Sequence, residues 1–183
     1  MPQPDPPTAV PPYQFLSVTG EHIPVTDPHD LVHLQFRRFA GCPICNLHLR
    51  SFVARHAEIS AAGIREVVFF HSPAAELAEH TSDLPFATVA DPEKEIYRQF
   101  GVESGPRALL DPRSWPAIAR GGLLTLRGRF RAPAGRPAGG RLGLPADFLI
   151  APDGAVIAAK YGSHADDQWS VDDLLLRAAA AQR

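Results

Sequence analysis

The sequence predicts an α/β fold in which a mixed β-sheet carries helices on both faces, and three observations lead to that expectation. Short runs rich in β-branched and aromatic residues alternate with amphipathic stretches through residue 101, as in LVHLQF at 31–36 and IREVVFF at 64–70. Two more short apolar runs near the C-terminus are joined by Pro152-Asp153-Gly154, whose residue types favour a tight turn. Both cysteines of the chain, Cys42 and Cys45, fall in one Cys-Pro-Ile-Cys motif, where the first long strand gives way to the first long helix.

The elements follow in order. Residues 1–12 are half proline with almost no apolar periodicity, which predicts an extended or disordered lead-in outside the fold. Residues 13–183 then form one domain, within the usual size of a single core. Residues 13–18 suit an edge strand, and Gly20 a turn. In the strand at 31–36, Val32, Leu34 and Phe36 share one face, while Leu31, His33 and Gln35 share the other. The helix after the cysteines runs through Leu49, Phe52 and Ile59 to a stop at Gly63. After the strand at 64–70, Ser72-Pro73 reads as an N-cap and first-turn proline for a helix ending near His80. A short strand at 86–89 precedes a helix opened by Asp91-Pro92 and closed by Gly101. Residues 104–144, rich in Arg, Gly and Pro, read as an irregular insertion with one short helix near Trp115. Strands at 145–150 and 155–159 and a helix from Ser170 to the C-terminus complete the plan.

Composition narrows the function. A formal net charge of -2 provides no basic face of the kind nucleic acid needs. No apolar run reaches the length of a membrane span, and the first residues lack the basic start and apolar stretch of a secretory signal, so the expected compartment is the cytoplasm, with neither membrane nor nucleic acid as partner. Two cysteines three residues apart form no disulfide framework and no four-ligand zinc site; His48 offers a third ligand at most. In a reducing compartment such a pair points to redox chemistry.

A cysteine at a helix start faces unpaired N–H groups and the positive end of the helix dipole, which favour the thiolate. Cys42 is therefore the expected nucleophile. Cys45, one turn on along the same face, is the expected resolving thiol. Pro43 fixes the first helical position, Gly41 allows close approach to Cys42, and Arg37 or Arg38 stands near enough in sequence to support a thiolate.

The segments FRRFAGCPICNLHL, DLPFATVADPEKEIYRQFGV and LPADFLIAPDGAV, in that order from Leu31 to the end, resemble the peroxiredoxin-like branch of the AhpC/TSA group in the thioredoxin superfamily. The resemblance implies a thioredoxin-like, peroxiredoxin-like sheet, with Pro145 as a cis residue facing the cysteines. The chain departs from the family pattern at two places. Phe39 stands where the family carries Thr or Ser three residues before the cysteine, and no arginine stands near the strand at 148–150. Arg37, Arg38, Arg120 or Arg141 would have to aid peroxide activation instead.

The leading expectation is a thiol oxidoreductase in which Cys42 attacks a peroxide, Cys45 resolves it, and a thioredoxin-type dithiol donor regenerates the pair without any cofactor or metal. A protein disulfide oxidoreductase with little peroxidase activity is the second reading. The third is a non-enzymatic redox-sensing or metal-carrying module using Trp115 and the arginine-rich insertion as a contact surface. Oligomeric state is left open.

Overall fold

The computed structural model describes residues 5–137 and 139–182. Five strands form the main sheet in the order β5-β4-β3-β6-β7. The strands are β3 (Leu31–Phe36), β4 (Ile64–Phe70), β5 (Ala87–Ala90), β6 (Ala146–Ile150) and β7 (Val156–Tyr161). The first three run parallel, and β6 and β7 are antiparallel additions, so the sheet is mixed as expected. A two-stranded antiparallel ribbon, β1 (Gln14–Leu16) with β2 (His22–Pro24), joins the sheet at its β5 edge just past β1, where Ser17 bridges Val89 and Val18 N–H donates to Thr88 O at 2.9 Å. The expected edge strand is thus half of a hairpin across Gly20, and its last residues, Ser17 and Val18, pair with the edge of the main sheet.

Alternation along the strands sorts the core into two sides. Val32, Leu34, Phe36, Val67, Phe69 and Phe148 pack against Phe15 and Ile23 of the ribbon and against Tyr97 and Phe100. Tyr97 lies in α4 (Glu95–Gln99), with Phe100 as its C-cap. The opposite side receives α1 (Pro43–Ala54), α2 (His56–Ala61), α3 (Ala74–Thr81) and α7 (Val171–Ala181), through residues such as Leu49, Phe52, Ile59, Leu77 and Leu174. The long helix predicted after the cysteines is interrupted at Arg55, the C-cap of α1 and N-cap of α2.

Three expectations need correction. Residues 1–4 lie outside the described residues, but Thr8–Val10 are part of the fold: Ala9 bridges Ala155, Val10 N–H donates to Gly154 O at 2.8 Å, and Val10 is buried. A proline-rich composition hides such pairing, because it depends on carbonyls and on the few non-proline N–H groups. Ser72 does not cap α3; its Oγ accepts from Ala40 N at 3.0 Å and ties β4 to the loop before Cys42. The insertion holds more helix than expected: α5 (Arg107–Leu110), a 3-10 turn (Pro112–Ser114) and α6 (Trp115–Leu126). Gly121 and Gly122 disguise α6, since glycine is a poor helix former. At Gly121 the absence of a side chain is required. A Cβ there would lie 2.8 Å from both Cβ and O of Pro43, so α6 can pack directly on the start of α1.

Candidate active site

The loop from β3 reaches α1 through Gly41, whose φ of 71° is open to glycine and strained for other residues. Cys42 is the N-cap of α1 and Pro43 occupies its first turn, as the sequence implied. Cys42 Sγ accepts from Cys45 N at 3.4 Å and from the Cys45 thiol at 2.8 Å, and both cysteines are free thiols. Arg38 Nη1 lies 3.7 Å from the same sulfur.

These contacts divide the two thiols. Burial would raise the pKa of Cys42, but the Cys45 thiol, the Arg38 charge and the N–H groups of Cys45 and Ile44 together lower it to about 6. Cys45 moves the opposite way: burial, its donated hydrogen bond and the adjacent Cys42 charge push it well above the ordinary value. Near neutral pH the pair is a thiolate on Cys42 hydrogen-bonded by a protonated Cys45.

Both sulfurs are closed off from solvent, with Cys42 at 0% exposure. The insertion forms the closure: α6 lies on Pro43, and Pro133 packs over Gly41 together with His80, where a Cβ would be 2.6 Å from His80 Cε1 and 2.9 Å from Pro133 Cα. The close approach that Gly41 permits is therefore made by the protein itself. Arg38 holds the closure from beneath by donating to the Arg141 carbonyl, while the Arg38 and Arg141 guanidiniums lie 5.2 and 5.5 Å from the Phe39 ring centroid. Arg141 donates in turn to the carbonyls of Ala134 and Gly135, each at 3.1 Å.

Arg37, expected near the thiols, faces a different set of groups. It is buried beneath α1 with Nη2 2.7 Å from Asp147 Oδ1 and 3.3 Å from His48 Nε2, and it also donates to Gln35. His33 joins the same cluster, with Nδ1 3.0 Å from Glu66 Oε1 and Nε2 3.3 Å from Asp147 Oδ1, the latter an ion pair without hydrogen-bond alignment. Gln35 donates to Glu66, and Trp169 N–H donates to Asp147 Oδ2 at 3.1 Å. Two cations and two carboxylates thus compensate one another inside the fold, which makes their burial tolerable. Burial lowers the His33 pKa, but Glu66 and Asp147 outweigh it and raise it to about 9. His48, considered above as a third metal ligand, is turned to Arg37, and burial with that charge holds it neutral.

Pro145 is not a cis residue: every peptide bond among the described residues is trans. Its carbonyl accepts from Gly162 N at 2.8 Å, extending the β6–β7 ladder, and an extended trans backbone serves that role. It lines a small cleft with Glu103, Arg107 and Tyr161. Arg120 is exposed on α6.

Sequence reasoning missed Asp147 and His33 as a charge pair, Ser72 as the anchor of the cysteine loop, and His80 as a wall over Gly41. A polar residue on the inward face of a buried strand was the available signal for the first two.

Among solved structures the fold is shared with peroxidoxin BcpB of Mycobacterium tuberculosis, at TM-score 0.65 and 17% identity over 94% of each chain. The peroxiredoxin 6 of Arenicola marina aligns at TM-score 0.68 and 14% identity, covering 95% of this chain and 71% of that one. A Chlorobium tepidum protein assigned as the thiol:disulfide interchange protein DsbE aligns at TM-score 0.61 and 17% identity, over 98% and 99%. No curated protein matches the chain. The family profile described as AhpC/TSA antioxidant enzyme matches residues 51–164, beginning after the two cysteines and taking in β4 to β7 with the insertion. The thioredoxin-like sheet and this match over more than half its length place the chain in the AhpC/TSA antioxidant enzyme family.

Proposed function

We propose that the chain is a thiol-dependent peroxidase with Cys42 as peroxidatic nucleophile and Cys45 as resolving thiol. The observation that carries this reading is the Arg38 guanidinium 3.7 Å from Cys42 Sγ in a site closed to solvent. A planar cation beside the thiolate can hold a peroxide and support the charge that develops on the departing oxygen, the task that Phe39 cannot perform. In the first step Cys42 Sγ bonds to one peroxide oxygen as the O–O bond breaks. The other oxygen leaves as an alkoxide or hydroxide and takes a proton from solvent, leaving a sulfenic acid on Cys42. In the second step Cys45 Sγ displaces the sulfenic oxygen, water departs, and a Cys42–Cys45 disulfide remains. The 2.8 Å approach of the two sulfurs suits this second step. A thioredoxin-type dithiol then returns the pair to the reduced state.

A second reading, exchange with protein disulfides, is favoured by the low pKa of Cys42 alone. An extended polypeptide has further to displace α6 and Pro133 than a small peroxide does, and Pro145 lacks the cis geometry expected for holding a peptide strand. The test is Cys45→Ser treated with one equivalent of hydrogen peroxide under a sulfenic-acid trap. The adduct is expected on Cys42; an adduct on Cys45 in the reciprocal Cys42→Ser protein, with none on Cys42, reverses the roles.

A further inference from the structure

The insertion that closes the thiol pair has a surface unlike the rest of the chain. Residues 104–144 contain eight arginines and a single carboxylate, Asp111, leaving 10 of the 18 basic residues and 19 of the 20 acidic ones elsewhere. Within this basic segment α6 is sided. Ala117 and Gly121 face inward, while Trp115, Ile118, Leu123 and Leu126 are turned out, Trp115 at 57% and Leu126 at 87% exposure. The exposed Arg127 and Arg129 follow directly from the helix. Arg113 and Arg131 are paired with Asp111 and Glu79, and Arg127 and Arg129 are the cations that flank the exposed apolar residues at the end of the helix, a combination that marks an interaction surface.

We propose that the outer face of α6, with Arg127 and Arg129, is the docking surface for an acidic protein that carries the reducing dithiol. The proposal rests on the reading of Cys42 and Cys45 as a cycling pair. Two features select this occupant. The surface lies on the closure itself, through Gly121 on Pro43, so whatever reaches the sulfurs must engage or move α6. The charge is divided, a basic insertion on an acidic remainder, so a bilayer of uniform negative charge attracts one part and repels the other, whereas a protein can present its acidic patch to the insertion alone. A second copy paired symmetrically through α6 would set arginine against arginine. In the exchange itself a donor thiolate bonds to one sulfur of the Cys42–Cys45 disulfide as that bond breaks, and the donor's second thiolate displaces the mixed disulfide. The donor loses two electrons and becomes a disulfide; the pair gains them, Cys45 takes up a proton and Cys42 leaves as a thiolate.

The experiment reduces the oxidised protein either with an acidic thioredoxin, kept reduced by its reductase and NADPH, or with dithiothreitol. Wild type is compared with Leu126→Asp and with the double variant Arg127→Glu/Arg129→Glu, all at exposed positions. The thioredoxin-driven rate is expected to fall about tenfold in each variant, and by a similar factor between low salt and about 300 mM salt, while the dithiothreitol rate stays constant. Docking is also read without redox chemistry. Of the two tryptophans, Trp115 is exposed and Trp169 buried, so a saturable, salt-sensitive change in emission on adding thioredoxin reports this surface. If neither reductant restores thiols, the cycling-pair reading fails, and the Trp115 titration still decides docking. Equal thioredoxin rates in wild type and variants, no Trp115 response, a response to anionic phosphatidylglycerol vesicles in place of thioredoxin, or a dimer abolished by Leu126→Asp would each overturn the proposal.

Discussion

Replacing Arg38 with glutamine removes the guanidinium from the Cys42 sulfur while keeping a side chain able to hydrogen-bond the Arg141 carbonyl. At the observed 3.7 Å, two unit charges attract by about 4 kcal/mol at an effective dielectric constant near 20, equivalent to about 3 pH units. Neither group is exposed, so solvent screening reduces this little, but the Cys45 thiol and the N–H groups of Cys45 and Ile44 remain and recover part of it. The midpoint for thiolate formation on Cys42, about 6 in the intact site, is therefore expected to rise by roughly 1–2 pH units. Ultraviolet absorbance of the reduced protein followed against pH measures the midpoint, and stopped-flow oxidation by hydrogen peroxide measures its kinetic consequence. The peroxide rate should fall by more than the lost thiolate fraction, by about 100-fold, because the donor to the leaving oxygen is lost as well. An unchanged midpoint would refute the electrostatic role given to Arg38, leaving the helix start and Cys45 as the source of the low pKa.

Three further perturbations address the surrounding structure. Gly121→Val brings side-chain atoms against the Pro43 carbonyl, so melting should show a loss of about 1–3 kcal/mol and alkylation of Cys42 should quicken as α6 lifts. Asp147→Ala leaves Arg37 buried without its carboxylate and should destabilise by about 3–5 kcal/mol in denaturant titrations, with the peroxide rate of the folded fraction little changed. Stability against pH separates two opposed groups. His33, at about 9 folded and 6.5 unfolded, contributes fully below 6.5 and loses its contribution as pH rises through 9. Cys42, at about 6 folded and 9 unfolded, contributes fully above 9 and loses its contribution as pH falls through 6. Reduced wild-type protein should therefore be nearly flat between 6.5 and 9, whereas Cys42→Ala should lose roughly 3 kcal/mol across that window.

Features set by local chemistry were legible in the sequence. The Cys42 N-cap, Pro43 in the first turn, the alternation in β3 and the turn at Pro152-Asp153-Gly154 all depend on near neighbours and stand where their residue types imply. What was not legible depends on register and on distant partners. His33, Gln35, Glu66 and Asp147 occupy inward positions of three different strands and compensate one another only once β3 is paired with β4 and β6. Ser72 stands at the end of a strand before a proline, a pattern that indicates an N-cap, yet its hydroxyl accepts from Ala40 across the sheet. Gly121 reads as a helix breaker until Pro43 is found against it. Arg37 and Arg38 are adjacent in sequence but diverge, one into the charge cluster and the other onto the thiolate, as successive residues leaving a strand do.

If the Arg38 guanidinium supports both the Cys42 thiolate and the departing oxygen, the protein reduces peroxide faster than the pKa of Cys42 alone would allow. The direct measurement is the second-order rate of oxidation of the reduced protein by hydrogen peroxide, set against a free thiol at the same thiolate fraction and against the rate with a protein disulfide. A peroxide rate at least about 100-fold above the free thiol, lost in Arg38→Gln, is the predicted result. A rate equal to the free thiol beside rapid reduction of the protein disulfide would contradict the peroxidase account and leave disulfide exchange in its place.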